Sequence, residues 1–214
     1  VAELFARLPL RSPEPERRAR PEAARDFLDG LGPRLRDATF ENFRPPGAEA
    51  EKVLRALRDY AARLDENVAR GRGVVLFGPC GTGKDHLLIA LARLAAARGH
   101  SIRRTTGPEL FRVIRDAMAD GAESRFLDRL KYAGILILSD PLPPLGGLTP
   151  FQAAVLYDLV NYRWEYRLPT WVTLNVADSR EADSRLGPAI VDRLQDGAVV
   201  LKCGWASHRR PVSC

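Results

Sequence analysis

Short unbroken apolar runs alternate along the chain with longer stretches in which apolar residues recur every three or four positions. Val74-Val75-Leu76-Phe77, the run from Ile135 that ends in Ser139 and Asp140, Trp171-Val172-Thr173-Leu174-Asn175 and Val199-Val200-Leu201 are of the first kind. Strands covered on both faces of a parallel sheet read this way. Ser101-Ile102-Arg103-Arg104-Thr105 predicts a fifth strand, placed at an edge because two adjacent arginines are costly in a doubly covered one. Between the strands, Val53, Leu57, Tyr60, Ala61 and Leu64 form one stripe and predict a helix over 49–68. Leu87, Leu88, Ile89, Leu91, Ala92 and Leu94 predict a second, and Leu110, Phe111 and Ile114 a third whose first turn suits Pro108. A fourth is expected over 122–131. Ala153, Leu156, Leu159, Val160 and Tyr162 mark a fifth, which Thr149 and Gln152 would open as a capping box and Pro169 would end. A last helix over 182–194 is interrupted at Gly187-Pro188. The expected architecture is α/β, a parallel five-stranded sheet covered by helices on both faces.

Before residue 39 the pattern dissolves into Pro, Arg and Glu, as in Arg11-Ser12-Pro13-Glu14-Pro15-Glu16-Arg17-Arg18. So few groups to bury predict a loose arm over 1–38, with a short helix near 22–31, ahead of one folded domain over 39–214. Phe40 and Phe43 are expected to pin the arm to the core. With 214 residues, 45% of them hydrophobic, one full core is the default. A net charge of +6 favours an anionic partner. Cys80, Cys203 and Cys214 have neither the spacing nor the number of a zinc cluster or a disulfide framework, and the three histidines are scattered. A membrane span needs about eighteen consecutive apolar residues, and no stretch approaches that. The start also lacks the order of a signal peptide, so no membrane and a cytoplasmic location are expected.

The chemistry centres on Gly78-Pro79-Cys80-Gly81-Thr82-Gly83-Lys84-Asp85-His86, which joins an apolar strand to an apolar-faced helix. That context is the one a phosphate-binding P-loop requires. Glycines let several main-chain N–H groups converge, the helix adds its positive end, and Lys84 reaches the outer phosphates. In open parallel sheets ligands gather at the carboxyl ends of strands, which places Ser139, Asp140 and Asn175 beside the phosphates. Asp140 is a candidate for holding magnesium or orienting water. Asn175 either hydrogen-bonds the water or the γ-phosphate, or caps its own loop.

With Gly78 to Lys84, the strand ending in Asp140, Pro169 to Asn175, Arg185-Leu186-Gly187, Asp192-Arg193-Leu194 and Trp205 to Arg209, the chain resembles the AAA+ ATPases of the DnaC and IstB family from about Phe40 to Arg209. The resemblance implies a P-loop NTPase fold, ATP and Mg2+ as ligands, and side-by-side assembly, while the few residues after the last predicted strand lead to the expectation of no substantial lid. It makes Lys84 the phosphate ligand, Asp140 a Walker B residue, Asn175 a sensor and Arg193 a finger acting in trans on a neighbour. The implied role is nucleotide-controlled assembly in DNA replication, as helicase loading, or in transposition, with a replicative helicase or a transposase and single- or double-stranded DNA as partners. The alternative is a nucleotide-dependent binding module with a degenerate, non-hydrolysing site. Two departures bear on that choice, since Asp85 stands where the family has Thr or Ser and Ser139 where it has an acid. The expectation is that Asp85, Ser139 and Asp140 surround the metal, with carboxylate and hydroxyl exchanged between the first two. Arg103, Arg104, Lys131, Arg163, Arg167, Arg209 and Arg210 are candidate DNA contacts, and Trp164 and Trp171 are expected in the core.

Overall fold

The computed structural model describes residues 27–120 and 123–209, so most of the arm and Arg210 lie outside the described residues. After a one-turn helix α1 (Pro33–Arg36), the elements run α2 (Ala48–Ala62), α3 (Leu64–Ala69), β1 (Val74–Phe77), α4 (Lys84–Ala97), β2 (Ile102–Thr106), α5 (Gly107–Asp120) and α6 (Glu123–Lys131). They continue with β3 (Ile135–Ser139), α7 (Pro150–Glu165), β4 (Thr170–Leu174), α8 (Ser179–Leu186), α9 (Pro188–Gln195) and β5 (Val199–Lys202). All four strand pairings are parallel, in the order β2-β3-β4-β1-β5. The arginine-bearing β2 is an edge strand, as its sequence predicts.

Strand alternation divides the core in two. Val74, Leu76, Ile135, Ile137 and Trp171 pack against α2 and α4 on one face. Val75, Leu136, Leu138, Val172 and Leu174 pack against α5 to α9 on the other. The expected capping box forms at α7, where Thr149 Oγ1 accepts from Gln152 N and Gln152 Oε1 from Thr149 N. The helix expected over 49–68 is broken at Arg63, and Asn67 Nδ2 donates to the carbonyl of Tyr60 that the break exposes.

Two expectations about side chains are corrected. Arg163, a candidate DNA contact in the sequence, is fully buried. It faces inward because the α6–β3 turn and the start of β4 present it with oxygens: Leu130, Lys131, Ala133 and Pro169 main-chain O and Thr170 Oγ1, at 2.8 to 3.1 Å. Trp164, expected in the core beside Trp171, is 45% exposed while Trp171 is fully buried. Its indole lies on the outer surface of α7, where Nε1 donates to Asp196 Oδ2 at 2.7 Å.

Candidate nucleotide-binding site

The P-loop turns from β1 into α4 over Gly78 to Gly83. Lys84 Nζ donates to the carbonyls of Gly78 and Pro79, each at 2.7 Å, so the ammonium sits inside the turn. Burial lowers its pKa, while the nearby carboxylates of Asp85 and Asp140 act in the opposite sense.

The loop is walled by residues distant in sequence. Gly78 has φ +141° and Gly81 φ +82°. A Cβ at Gly78 would lie 2.3 Å from the Cys203 carbonyl, and one at Gly81 2.0 Å from Ser207 Oγ. Both glycines are required by conformation and by this close approach. Cys203 N donates to Phe77 O at 2.7 Å, His208 N to Gly81 O at 2.8 Å, and Trp205 Nε1 to Thr82 O at 2.9 Å. Phe43 completes the wall, its ring 5.4 to 6.4 Å from those of His86, Trp205 and His208. His86, predicted among the nucleotide-binding residues, bonds the carbonyl of Thr39 through Nε2 at 2.9 Å and so fastens the 39–43 segment to α4. The Arg209 side chain runs past Gly81, where a Cβ would meet its Cδ at 3.5 Å, so this arginine stands at the loop and apart from Arg103 and Arg104 on β2.

Strand order decides what faces the loop. Because β4 lies between β1 and β3, Thr173 separates the P-loop from Asp140. Its hydroxyl donates to Asp85 Oδ1 at 3.1 Å and accepts from Asp140 N at 3.1 Å. Asp140 has φ +47°, a left-handed conformation that aspartate tolerates better than most residues. Asn175 Nδ2 donates to Asp140 Oδ2, while Asp140 Oδ1 is buried with no hydrogen-bond partner among the described residues. Burial raises the Asp140 pKa; the bond from Asn175 opposes this, the Asp85 charge adds to it and Lys84 subtracts. Thr173 went unassigned in the sequence, although a hydroxyl inside an otherwise apolar strand was the signal available.

Thr173 thus links Asp85 to Asp140, Asn175 bonds Asp140, and Lys84 lies within electrostatic reach of both carboxylates. The buried hydroxyl of Ser139, paired in register with Thr173, accepts from Arg104 Nε at 3.0 Å. Two carboxylates, of which Asp140 has a buried oxygen with no partner among the described residues, form a donor set suited to a hard divalent cation. Asp85 and Asp140 are therefore the residues that would hold a magnesium ion.

Arg193 is at the other end of the sheet, near the entry to β5. Its Nε donates to Asn161 Oδ1 at 2.6 Å and its Nη1 to Ala189 O at 3.0 Å, and its guanidinium carbon lies 4.9 Å from the Tyr157 ring centre and 5.3 Å from that of Trp164. It borders a cavity of about 450 Å³ that Arg70, Arg72 and Arg167 also line.

A parallel sheet with a P-loop after β1 and polar groups at the ends of β3 and β4 agrees with what is found among known proteins. The chain superimposes on the crystal structure of the DnaC helicase loader with a TM-score of 0.70 at 21% identity, covering 80% of this chain and 99% of that one. In sequence it is 24% identical over 189 residues to the replicative helicase loader DnaC of Escherichia coli K12, covering 86% of this chain and 74% of that protein. It is 33% identical over 180 residues to an ATP-binding protein of insertion sequence IS21 from Pseudomonas aeruginosa, covering 81% of this chain and 62% of that protein. The family model for IstB-like ATP binding proteins matches residues 41–213, from the Phe43 wall through the whole sheet to the segment that closes the loop, and the chain belongs to that family.

Proposed function

We propose that this protein binds ATP with magnesium at the P-loop, hydrolyses it within an assembly of its own copies, and uses nucleotide state to control assembly on DNA or on a partner. The relatives' names, a replicative helicase loader and an insertion-sequence ATP-binding protein, make a replicative helicase or a transposase the natural partner, in the cytoplasm. No described helix is long and apolar enough to cross a membrane. The observation that carries the reading is Asp140, tied to Asn175 through one oxygen, without a partner among the described residues at the other, and within electrostatic reach of Lys84 and Asp85.

In this reading residues 78–86 form the nucleotide cradle, with main-chain N–H groups and Lys84 on the phosphates. Asp85 and Asp140 hold the magnesium, which when bound neutralises phosphate charge. Asp140 and Asn175 orient the attacking water, and Arg193 serves the nucleotide of a neighbouring copy. The cavity beside Arg193, where Arg70, Arg72, Arg167 and Arg193 outnumber Glu165 and Asp196, supports that last assignment, because its balance of charge suits an incoming anion away from the chain's own P-loop.

Asp140→Asn tests the reading. The substitution should abolish turnover while ATP binding persists, and it should raise the thermal midpoint. A carboxyl whose folded pKa is raised loses stability as pH rises from its unfolded value through its folded one, and the loss is complete above both. At neutral pH an uncharged residue removes that cost, and the advantage should fade at acid pH, where the parent is protonated too. Turnover retained by Asp140→Asn would sink the assignment.

The bond from Arg104 to Ser139 favours the second reading, a nucleotide-dependent binding module that does not hydrolyse, because it engages the hydroxyl proposed as a metal ligand. Asp85→Thr combined with Ser139→Asp discriminates between the two. A carboxylate at 139 would have Arg104 as counter-ion, and the pair of changes restores the usual family placement. If the exchanged arrangement supports hydrolysis, each single change should lower turnover and the double change should recover much of it. Additive damage with no recovery would favour the non-hydrolysing module.

A further inference from the structure

The loop that leaves Asp140 runs through Pro141, Pro143 and Pro144, residues with no main-chain N–H, so its carbonyls need donors from elsewhere. Arg185, in the last turn of α8 and with a side chain only 17% exposed, supplies them. Its Nη2 donates to Pro143 O at 2.7 Å and its Nε to Gly146 O at 2.8 Å. The third nitrogen, Nη1, donates to Asn175 O at 3.3 Å and pairs with Glu181 Oε1 at 3.0 Å. Glu181 is itself fastened, since its Oε2 accepts from Ala177 N at 2.7 Å and its main-chain N donates to Asp178 Oδ1 at 2.9 Å. Leu148 N closes the circuit on the carbonyl of Arg185 at 3.0 Å.

One planar guanidinium therefore joins the residue that hydrogen-bonds Asp140 to the loop that Asp140 begins. We infer that Arg185 is a positioning residue for the Asp140–Asn175 pair, and that through it the end of β4 and the loop over 141–148 move as one unit when nucleotide occupies the site. The fork geometry of arginine suits the task, because three carbonyls and the Glu181 carboxylate together fix its plane and each then fixes the others. Between the two anchored carbonyls the loop holds Leu145 out, 88% exposed, where any such movement is displayed on the surface.

The inference rests on the hydrolytic reading of Asp140 and Asn175, and the test separates the two. Arg185→Met and Arg185→Lys are compared with the parent in ATP affinity, steady-state kinetics, thermal midpoint and hydrogen exchange at Leu142 and residues 145–148, with and without ATP and magnesium. Misplacing the pair should lower kcat of Arg185→Met roughly ten- to a hundredfold with KM nearly unchanged. Arg185→Lys should recover part of kcat, since an ammonium can serve some of the carbonyls but not all three directions. In the parent, nucleotide should change exchange over 145–148, and in Arg185→Met that change should vanish. A parent without turnover defeats the hydrolytic reading alone; an exchange response present in the parent and lost in Arg185→Met would still establish the positioning role. An unresponsive parent loop, an unaltered response in Arg185→Met, or equal losses of ATP affinity and thermal midpoint in both variants would overturn it.

Discussion

Alanine at Arg193 should reduce turnover of the assembled protein by a factor of about a thousand or more, the range found where a trans arginine stabilises charge on a transferring phosphoryl group. Nucleotide affinity of the isolated subunit should stay nearly intact, because Arg193 and the P-loop belong to opposite ends of the sheet. Lys84→Ala should instead impair binding itself. Mixing the two variants supplies the decisive comparison, since an oligomer can then place an intact Arg193 beside an intact Lys84 site. Partial recovery of turnover is the expected result, and none in oligomers shown to be mixed would reject action in trans. The local structure favours a prepared group. Asn161, the Ala189 carbonyl and two aromatic rings hold the guanidinium, so little side-chain entropy remains to be lost on docking.

The second large effect concerns stability. Arg163→Met should cost roughly 3–5 kcal/mol, comparable to breaking a buried charged network, because it strips oxygens of the α6–β3 turn and the start of β4 of their common donor. Burial by itself pushes the guanidinium down to about 9. The five hydrogen bonds nonetheless hold its proton: Nη1 shares its two hydrogens among three carbonyls, and Nε and Nη2 serve Thr170 Oγ1 and the Pro169 carbonyl. Arg163→Lys should recover little, since three donors on one nitrogen cannot cover the same spread. Denaturant midpoints with an unchanged slope would measure the loss. A cost below about 1 kcal/mol, the range of an ordinary surface substitution, would mean that water replaces the guanidinium there.

The contrast between Arg163 and the P-loop shows which features the sequence carries. Strands, the capping box at Thr149, the edge position of β2 and the turn around Lys84 are local, set by spacing over a few residues, and they are legible. Arg163 sits amid polar neighbours and reads as solvent-facing; what turns it inward is a set of carbonyls about 30 residues away, which no local pattern reveals. Trp164 fails in the opposite sense, since its hydrophobicity suggests burial while Asp196 and Arg193 give its edge and face polar partners on the surface. Strand order was likewise hidden, and with it the central place of Thr173. The break at Arg63 left the apolar stripe continuous, because Asn67 repairs it from within the next turn.

The wall of the phosphate loop also bears on the order in which the molecule can be made. Lys84 leaves the ribosome long before Trp205, whose contact with Thr82 spans 123 positions. Until β5 pairs with β1 and the segment beyond it arrives, Gly78 and Gly81 lack the groups they pack against. Closing so long a loop is among the costliest steps for a folding chain and comes late. The phosphate loop therefore takes its final walled shape only with the completed sheet, late in the life of the growing chain.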